Sequence, residues 1–157
     1  MSHLTHTIEN GIATIILDRS PQNRIDDQMV DELATAVSAI ERSDARVVLV
    51  RAEGESFSFG GDITSWPDDT PRQLRARFEG YMDVFNRFER LPLPVIAVVQ
   101  GLCAGGGFEL ALRADVIFAA ESATFCHPEQ SLALVTLLGG IYRVAERAGA
   151  YEPWNGR

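Results

Sequence analysis

The sequence contains no lysine, since all fourteen of its basic residues are arginine. This absence excludes Schiff-base catalysis, an anchored pyridoxal phosphate and the lysine of a phosphate-binding loop. Cysteine and histidine are also scarce, with two and three residues. The two cysteines, Cys103 and Cys126, fit neither a disulfide framework nor a Cys-x-x-Cys motif, and with so few histidines no metal site is expected.

The sequence also has fewer positive than negative charges, and it lacks long apolar runs. The 22 acidic residues against 14 basic ones give a formal net charge of −8, which argues against a surface for nucleic acid or anionic membrane. No apolar run approaches the roughly 20 residues of a membrane span. The first six residues lack the basic and apolar regions of a signal peptide. We therefore expect a cytoplasmic protein with no nucleic-acid or membrane partner.

The 157 residues, 46% hydrophobic and 23% charged, have the composition of one globular domain. Helical spacing and capping signals predict helices that begin at Asp26 or Asp27, near Pro71, after the glycines at 105–107, and at Ile141. Strand patterns are predicted over 4–8, 12–17, 47–50, 95–99, 116–119 and 124–126. The alternation of strands and helices indicates a single α/β domain. We expect it to span 1–149 and to be followed by an irregular tail at 150–157.

A run of glycines, Gly101 to Gly107, follows the apolar strand at 95–99, and it allows three interpretations. A phosphate loop is excluded because Phe108 follows the run and the chain has no lysine. A dinucleotide fingerprint fails because Leu110 holds its last glycine position. The third interpretation is an oxyanion site, in which backbone N–H groups at a helix start bind a substrate carbonyl. Tight packing of a helix on a sheet explains the run equally well.

A second glycine turn and two glutamates favour the oxyanion site. The turn lies in the segment Phe57–Ile63 and follows a different buried strand, so two loops supply one backbone donor each. Glu109 comes one helical turn after Gly106, and Glu129 follows a short strand. Two carboxylates beside an oxyanion site provide an acid and a base, and their mutual repulsion tends to keep one of them protonated.

The chain resembles the enoyl-CoA hydratase/isomerase (crotonase) superfamily. The resemblance lies in the ordered motifs 57–63, 101–111, 114–115 and 125–129, and it extends from the first hairpin to about Gly149. It implies an α/β, crotonase-like fold of repeated β-β-α units, truncated at the C-terminus. It also implies a homotrimer or dimer of trimers, and an acyl-CoA thioester substrate that brings coenzyme A with it, so that no separate cofactor is needed.

The resemblance further implies roles for individual residues. The N–H groups of Gly61 and Gly106 would bind the thioester oxygen, and Glu109 and Glu129 would be the catalytic acid and base. Further substrate contacts are expected around the two glycine loops: Arg24, Phe59, Gly60, Asp62, Ile63, Trp66 and Gly105. For two of these residues a structural role is the alternative, because Asp62 is suited to capping the turn that follows it and Trp66 to ordinary packing.

Two glutamates favour hydration of an α,β-unsaturated acyl-CoA. Isomerisation or thioester hydrolysis on the same fold is the alternative, and an inactive subunit or binding module is a further one. The chain departs from the hydratase pattern at Ala133, Thr136 and Leu137, and Leu137 is expected either to narrow the acyl pocket or to reshape the loop. Thr64 stands where hydratases often have a lysine near CoA, so binding of CoA is expected to use backbone contacts or an arginine, for which Arg24 is the candidate. His127 is expected either to tune Glu129 or to be a hydrogen-bonded structural residue.

Overall fold

The computed structural model describes residues 1–149, so the predicted irregular tail at 150–157 lies outside the described residues. The strands are β1 (Leu4–Glu9), β2 (Ile12–Leu17), β3 (Val47–Ala52), β4 (Val95–Val99), β5 (Leu102–Ala104), β6 (Val116–Ala119) and β7 (Thr124–Cys126). The helices are α1 (Asp27–Glu41), α2 (Pro71–Glu89), α3 (Gly105–Ala111) and α4 (Gly140–Ala148). Two short 3₁₀ turns occupy Trp66–Asp68 and Pro128–Leu132.

The main sheet has the strand order β1-β2-β3-β4-β6, and β5 and β7 form a separate parallel pair. Among the strands of residues 1–149, only β1 and β2 pair antiparallel; β2, β3, β4 and β6 run parallel. Each helix follows two extended segments. The second segment before α2 is short and contains Ser58, which bridges to Cys103 of β5. The predicted repetition of β-β-α units is therefore confirmed.

Local chemistry explains where the first elements begin. Asn10 and Gly11 join β1 to β2 with φ of 54° and 78°, the left-handed conformation that a two-residue hairpin turn requires. Asp26 caps α1 by accepting a hydrogen bond from Met29 N at 2.9 Å, an interaction that typically stabilises a helix by about 1 kcal/mol. Thr70 caps α2 in the same way, and Pro71 occupies its first turn.

The hydrophobic core lies between one face of the main sheet and the helices α1 and α2. On the other face of the sheet, Val98, Val116 and Phe118 are exposed. Within residues 1–149, no helix combines the length and the apolar character that a membrane crossing needs. The catalytic candidates lie on the loop that precedes α2, on α3 itself and on the segment between β7 and α4.

Two details differ from the predictions. Strand β5 was assigned to the glycine turn, but its three residues pair with β7. From the sequence alone, the arginines from Arg72 to Arg90 are predicted to form a solvated helix face. The prediction is wrong at Arg77, whose side chain is only 18% exposed and forms ion pairs with Asp27 and Asp69.

Candidate active site

The two glycine loops lie side by side because backbone hydrogen bonds join them. Ser58 N donates to Leu102 O at 3.0 Å, and Ala104 N donates to Ser58 O at 2.8 Å. On the other side of the first loop, Ile25 N donates to Gly60 O at 2.9 Å, and Asp62 N donates to Ile25 O at 2.8 Å. The segment 58–62 is thereby held between the chain at Ile25 and strand β5.

Glycine is required at two positions of these loops. Gly60 has φ of +94°, and a Cβ atom there would lie 3.0 Å from the carbonyl oxygen of Ala104. Gly105 has φ of +48°, and a Cβ atom there would lie 3.1 Å from Oε1 of Glu129. Both conformations disfavour side chains. The glycines therefore let the two loops and the second glutamate approach one another.

The N–H groups of Gly61 and Gly106 lie next to each other where the two loops meet. A Cβ atom on Gly106 would lie 3.6 Å from Gly61 N, so the two residues are adjacent. Gly106 is in the first turn of α3, where an N–H has no acceptor within the helix. Within residues 1–149, neither N–H donates a backbone hydrogen bond across the loops. This pair can bind one oxygen atom between them, as an oxyanion hole does.

Glu109 is 3% exposed, and its Oε1 accepts hydrogen bonds from Leu138 N at 2.8 Å and Gly140 N at 2.9 Å. Burial raises the pKa of the Glu109 carboxyl above its ordinary value of 4.5, and the charge of Glu129 acts in the same direction. The two N–H donors oppose that rise. A buried carboxyl that is fixed in place and has a raised pKa is suited to proton transfer near neutral pH.

Glu129 lies on the 3₁₀ turn Pro128–Leu132, and its side chain is 14% exposed. Its Oε2 accepts no hydrogen bond from the described residues, and the nearest histidine nitrogen, Nδ1 of His127, is 3.6 Å away. That separation is too long for a hydrogen bond. The expectation of a hydrogen-bonded structural histidine is wrong for this part of the chain, because neither ring nitrogen of His127 has a partner there.

One cavity brings these groups together. Gly61, Gly106, Glu109 and Glu129 all line it. The other predicted contacts that line it are Arg24, Phe59, Gly60, Ile63, Trp66 and Gly105. A mostly apolar wall with a few convergent polar groups is typical of ligand pockets.

Two predicted contacts have structural partners as well. Asp62 is not among the residues that line the cavity: its carboxylate accepts hydrogen bonds from Arg19 and Thr64, each at 2.7 Å. The hydroxyl of Thr64, followed by the guanidinium of Arg19, lowers the pKa of Asp62 to about 2, although partial burial opposes this. Trp66 lines the cavity and also packs edge-to-face on Phe78 at 5.0 Å.

Sequence reasoning missed most of the apolar wall. Beyond Leu137, which was predicted to narrow the pocket, the wall includes Phe78, Tyr81, Leu132, Leu134, Val135 and Leu138. The only available signal was the apolar run 132–138 directly after Glu129. No helical or strand period organises that run, and the structure has no helix or strand between the 3₁₀ turn and α4.

The raised pKa of Glu109 predicts a pH-dependent cost in stability. Above pH 4.5 the unfolded chain ionises this carboxyl while the folded chain still favours the proton, so stability falls as pH rises toward the folded pKa. In Glu109→Gln the amide oxygen can still accept both N–H bonds and carries no charge. We expect the stability of this variant, relative to wild type, to increase between pH 4.5 and pH 7.5. Urea unfolding of both proteins at each pH measures this, and an unchanged difference would contradict the prediction.

Comparison with known proteins places this cavity in context. The family model for enoyl-CoA hydratase/isomerase matches residues 7–152. The chain is 34% identical over 159 residues to the 1,2-epoxyphenylacetyl-CoA isomerase of Escherichia coli (strain K12), and the match covers 96% of this chain and 61% of that protein. The chain thus spans less than two thirds of this relative's length.

Solved structures share the fold. An enoyl-CoA hydratase from Shewanella pealeana ATCC 700345 superposes with a TM-score of 0.86 at 27% identity, over 92% of this chain and 59% of that one. A protein from Thermobifida fusca YX, provisionally named an enoyl-CoA hydratase and solved in complex with acetoacetyl-CoA, gives a TM-score of 0.82 at 29% identity. That match covers 95% of this chain and 63% of the other.

Proposed function

The chain belongs to the enoyl-CoA hydratase/isomerase family of the crotonase superfamily, and from this premise we propose that it acts on acyl-CoA thioesters, adding water to an α,β-unsaturated substrate. The single observation that carries the proposal is the convergence of Gly61, Gly106, Glu109 and Glu129 on one cavity. Two N–H donors and two carboxyl groups are the parts that hydration of an enoyl thioester requires.

The two N–H donors account for the first part of the mechanism. When a nucleophile attacks Cβ of the enoyl group, electrons move through the conjugated system onto the thioester oxygen. Gly61 N–H and Gly106 N–H bind that oxygen and stabilise the enolate as its charge develops. A single donor of this kind is typically worth about 10²–10³ in rate. Because the donors belong to the backbone of two interlocked loops, they need little rearrangement as the charge forms.

The two glutamates account for the proton transfers. One carboxylate takes a proton from water as the water oxygen bonds to Cβ, and the other carboxylic acid gives a proton to Cα as the enolate collapses. The substrate gains one water in total, and the two glutamates exchange protonation states. The raised pKa of Glu109 is compatible with one group being protonated while the other is ionised. Nothing in this reaction requires a metal or a redox cofactor.

The remaining walls suit the other parts of an acyl-CoA. The apolar run 132–138 and Trp66 offer a surface for the acyl chain. Arg24 lies at the cavity, 5.9 Å above the ring of Phe59, and its Nε donates to Gln22 at 2.6 Å. It is the arginine that we propose for the CoA moiety, because the lysine often found after the first glycine loop is replaced by Thr64.

Isomerisation is the second candidate, and it has a specific observation in its favour. The E. coli relative is named an isomerase, and movement of a double bond or ring opening uses the same oxyanion hole. An isomerase needs no water in the cavity, whereas hydration needs both carboxyl groups to act on one water molecule. The presence of both glutamates at the cavity favours hydration.

The test is mass spectrometry of short- and medium-chain enoyl-CoA thioesters incubated with the purified chain. A product heavier by one water supports hydration. Free CoA would indicate hydrolysis instead, and a product of unchanged mass but altered chromatographic retention would indicate isomerisation. If calorimetry detects no binding of any acyl-CoA to the folded chain, the chain is a binding module or subunit of another kind, and the proposal fails.

We further propose that the chain assembles as a trimer or a dimer of trimers. The exposed apolar residues Val98, Val116 and Phe118 support an assembled state, because exposed apolar patches commonly mark protein contacts. Light scattering of the purified chain measures the mass directly, and a monomer at micromolar concentration would contradict this.

A further inference from the structure

An ion cluster of two buried arginines and one partly exposed glutamate joins the C-terminal end of α2, the turn after α3 and the first turns of α4. Glu89 of α2 is paired with Arg113, at 3.0 Å between Nη1 and Oε2, and with Arg143 of α4 through two hydrogen bonds. The side chain of Arg113 is fully buried and that of Arg143 is 6% exposed. Glu89 remains ionised, because although burial raises its pKa, the hydrogen bond from Arg143 and the charges of both arginines lower it further.

The two arginines of the cluster hydrogen-bond to the segment 138–140, and this segment in turn hydrogen-bonds to Glu109. Arg113 Nη2 donates to Leu138 O at 2.7 Å, and Arg143 Nη1 donates to Gly139 O at 3.1 Å. On the opposite side of this short segment, Leu138 N and Gly140 N donate to Oε1 of Glu109. The carbonyl of Gly139 and the N–H of Gly140 belong to the same peptide group, so a single peptide connects the guanidinium of Arg143 to the carboxylate of Glu109.

We propose that Arg143 and Arg113, held in place by Glu89, are positioning residues for the catalytic carboxyl of Glu109. Each fixes one carbonyl of the segment 138–140 and so aims the N–H groups that bind Oε1. Arg143 also polarises the peptide between Gly139 and Gly140, which strengthens the N–H as a donor. That the carboxyl is catalytic rests on the proposed function; that the cluster positions it rests on the contacts alone.

The charge balance of the cluster supports this assignment over a purely structural one. Two buried guanidinium groups face a single carboxylate in Glu89, and burying an excess charge is costly. Burial, followed by the charge of Arg143, lowers the pKa of Arg113, whereas the charges of Glu89 and Glu109 raise it. Glu109 is near enough for its charge to act on Arg113 in the same direction as the charge of Glu89.

Other titratable groups also act on Glu109, and the test must separate them from the cluster. His127 and Glu129 face it most directly, from the segment after β7. The strands and helix packed against α3 carry others: Cys103, Cys126, Tyr142, Glu146 and Arg147. Each of them is left unchanged in the variants that test the proposal, apart from Arg147, which serves as the control.

The experiment compares Arg143→Gln with Glu89→Gln, which change the charge near Glu109 in opposite directions. The carboxyl of Glu109 is titrated by NMR in protein labelled with ¹³C at the glutamate side-chain carboxyl, and Glu109→Gln identifies its signal. Loss of the positive charge at Arg143 is expected to raise the pKa of Glu109, and loss of the negative charge at Glu89 is expected to lower it. If the substitutions only loosened the segment 138–140, the pKa of Glu109 would shift in the same direction in both variants.

The matched control is Arg147→Gln. Arg147 lies one turn further along α4 and donates to the carbonyls of Leu112 and Ala114, but it does not contact the segment 138–140. We expect the pKa of Glu109 in this variant to equal that in the wild-type protein. If Arg143→Gln does not fold, the proposal is tested with Glu89→Gln alone. A lower pKa of Glu109 in that variant supports the proposal, and an unchanged or higher pKa overturns it. Equal shifts in Arg143→Gln and Arg147→Gln would also overturn it.

Kinetics add a readout that separates this inference from the proposed function. With an active enzyme, misplacement of Glu109 in Arg143→Gln is expected to lower kcat by up to about 10²-fold while KM changes little. The limb of the pH profile that belongs to Glu109 moves to higher pH. If wild-type protein turns over no thioester but the two titrations shift in opposite directions, the proposed function fails and the positioning of Glu109 stands.

Discussion

Replacing Glu129 by glutamine is expected to lower kcat for hydration by about 10²–10⁴-fold, the usual contribution of a general acid or base, while acyl-CoA binding stays within a few fold. The amide has the same shape as the carboxyl but neither takes up nor releases a proton at neutral pH. Oε2 of Glu129 has no hydrogen-bond partner among residues 1–149, so the substitution breaks no internal hydrogen bond of that atom. Steady-state kinetics on an enoyl-CoA, with binding measured by calorimetry, supply both numbers.

Glu121→Gln is the matched control, because this glutamate is exposed on the turn between β6 and β7. We expect its kcat and KM to equal those of wild type. Hydration that persists at the wild-type rate in Glu129→Gln would refute the two-glutamate mechanism. Loss of hydration with retention of double-bond migration would favour the isomerase alternative, because a single carboxyl group at position 109 can carry a proton between two carbon atoms.

Most of the framework was predictable from the sequence because its signals are local. The apolar runs of β4, β6 and β7 were predicted with the bounds that the structure shows. Asp26 and Pro71 marked the starts of the first two helices through capping chemistry, which acts over three or four residues. Strand β5 was missed because its three residues have no period of their own, and their pairing with β7 joins positions more than 20 residues apart.

The candidate site likewise has a part that was predictable from the sequence and a part that was not. The glycine loops, Glu109 and Glu129 follow one another in recognisable motifs, and the structure brings them to one cavity. The cluster of Glu89, Arg113 and Arg143 has no such signal. Arg113 and Arg143 lie 24 and 54 residues from Glu89 in the sequence, and each of the three is an ordinary charged residue on or just after a helix. Only the packing of the three helices shows that the three side chains pair with one another.

The position of Gly107 offers the sharpest test of how the two glycine loops are held together. A Cβ atom on Gly107 would lie 2.4 Å from Cβ and 2.6 Å from Oγ of Ser58. Ser58 is fully buried and cannot withdraw, because its hydroxyl donates to Asn23 O at 2.7 Å and accepts from Gly60 N at 3.1 Å. A side chain at position 107 must therefore push α3 away from the segment that carries Gly61.

We expect Gly107→Ala to lower the free energy of unfolding by about 1–3 kcal/mol, the usual cost of overpacking, and to lower kcat by separating the donors of Gly61 and Gly106. Gly80→Ala is the control: Gly80 is inside α2 with nothing within 4 Å of its added Cβ, so alanine is expected to stabilise the helix by about 0.5–1 kcal/mol. Urea unfolding of both variants measures the two changes in the free energy of unfolding, which are expected to have opposite signs. Since helix propensity alone favours alanine at both positions, a stabilised Gly107→Ala would show that α3 and Ser58 are not in contact.

Adding Ser58→Gly should relieve the clash, so the double variant should lose less stability than the two single changes predict together.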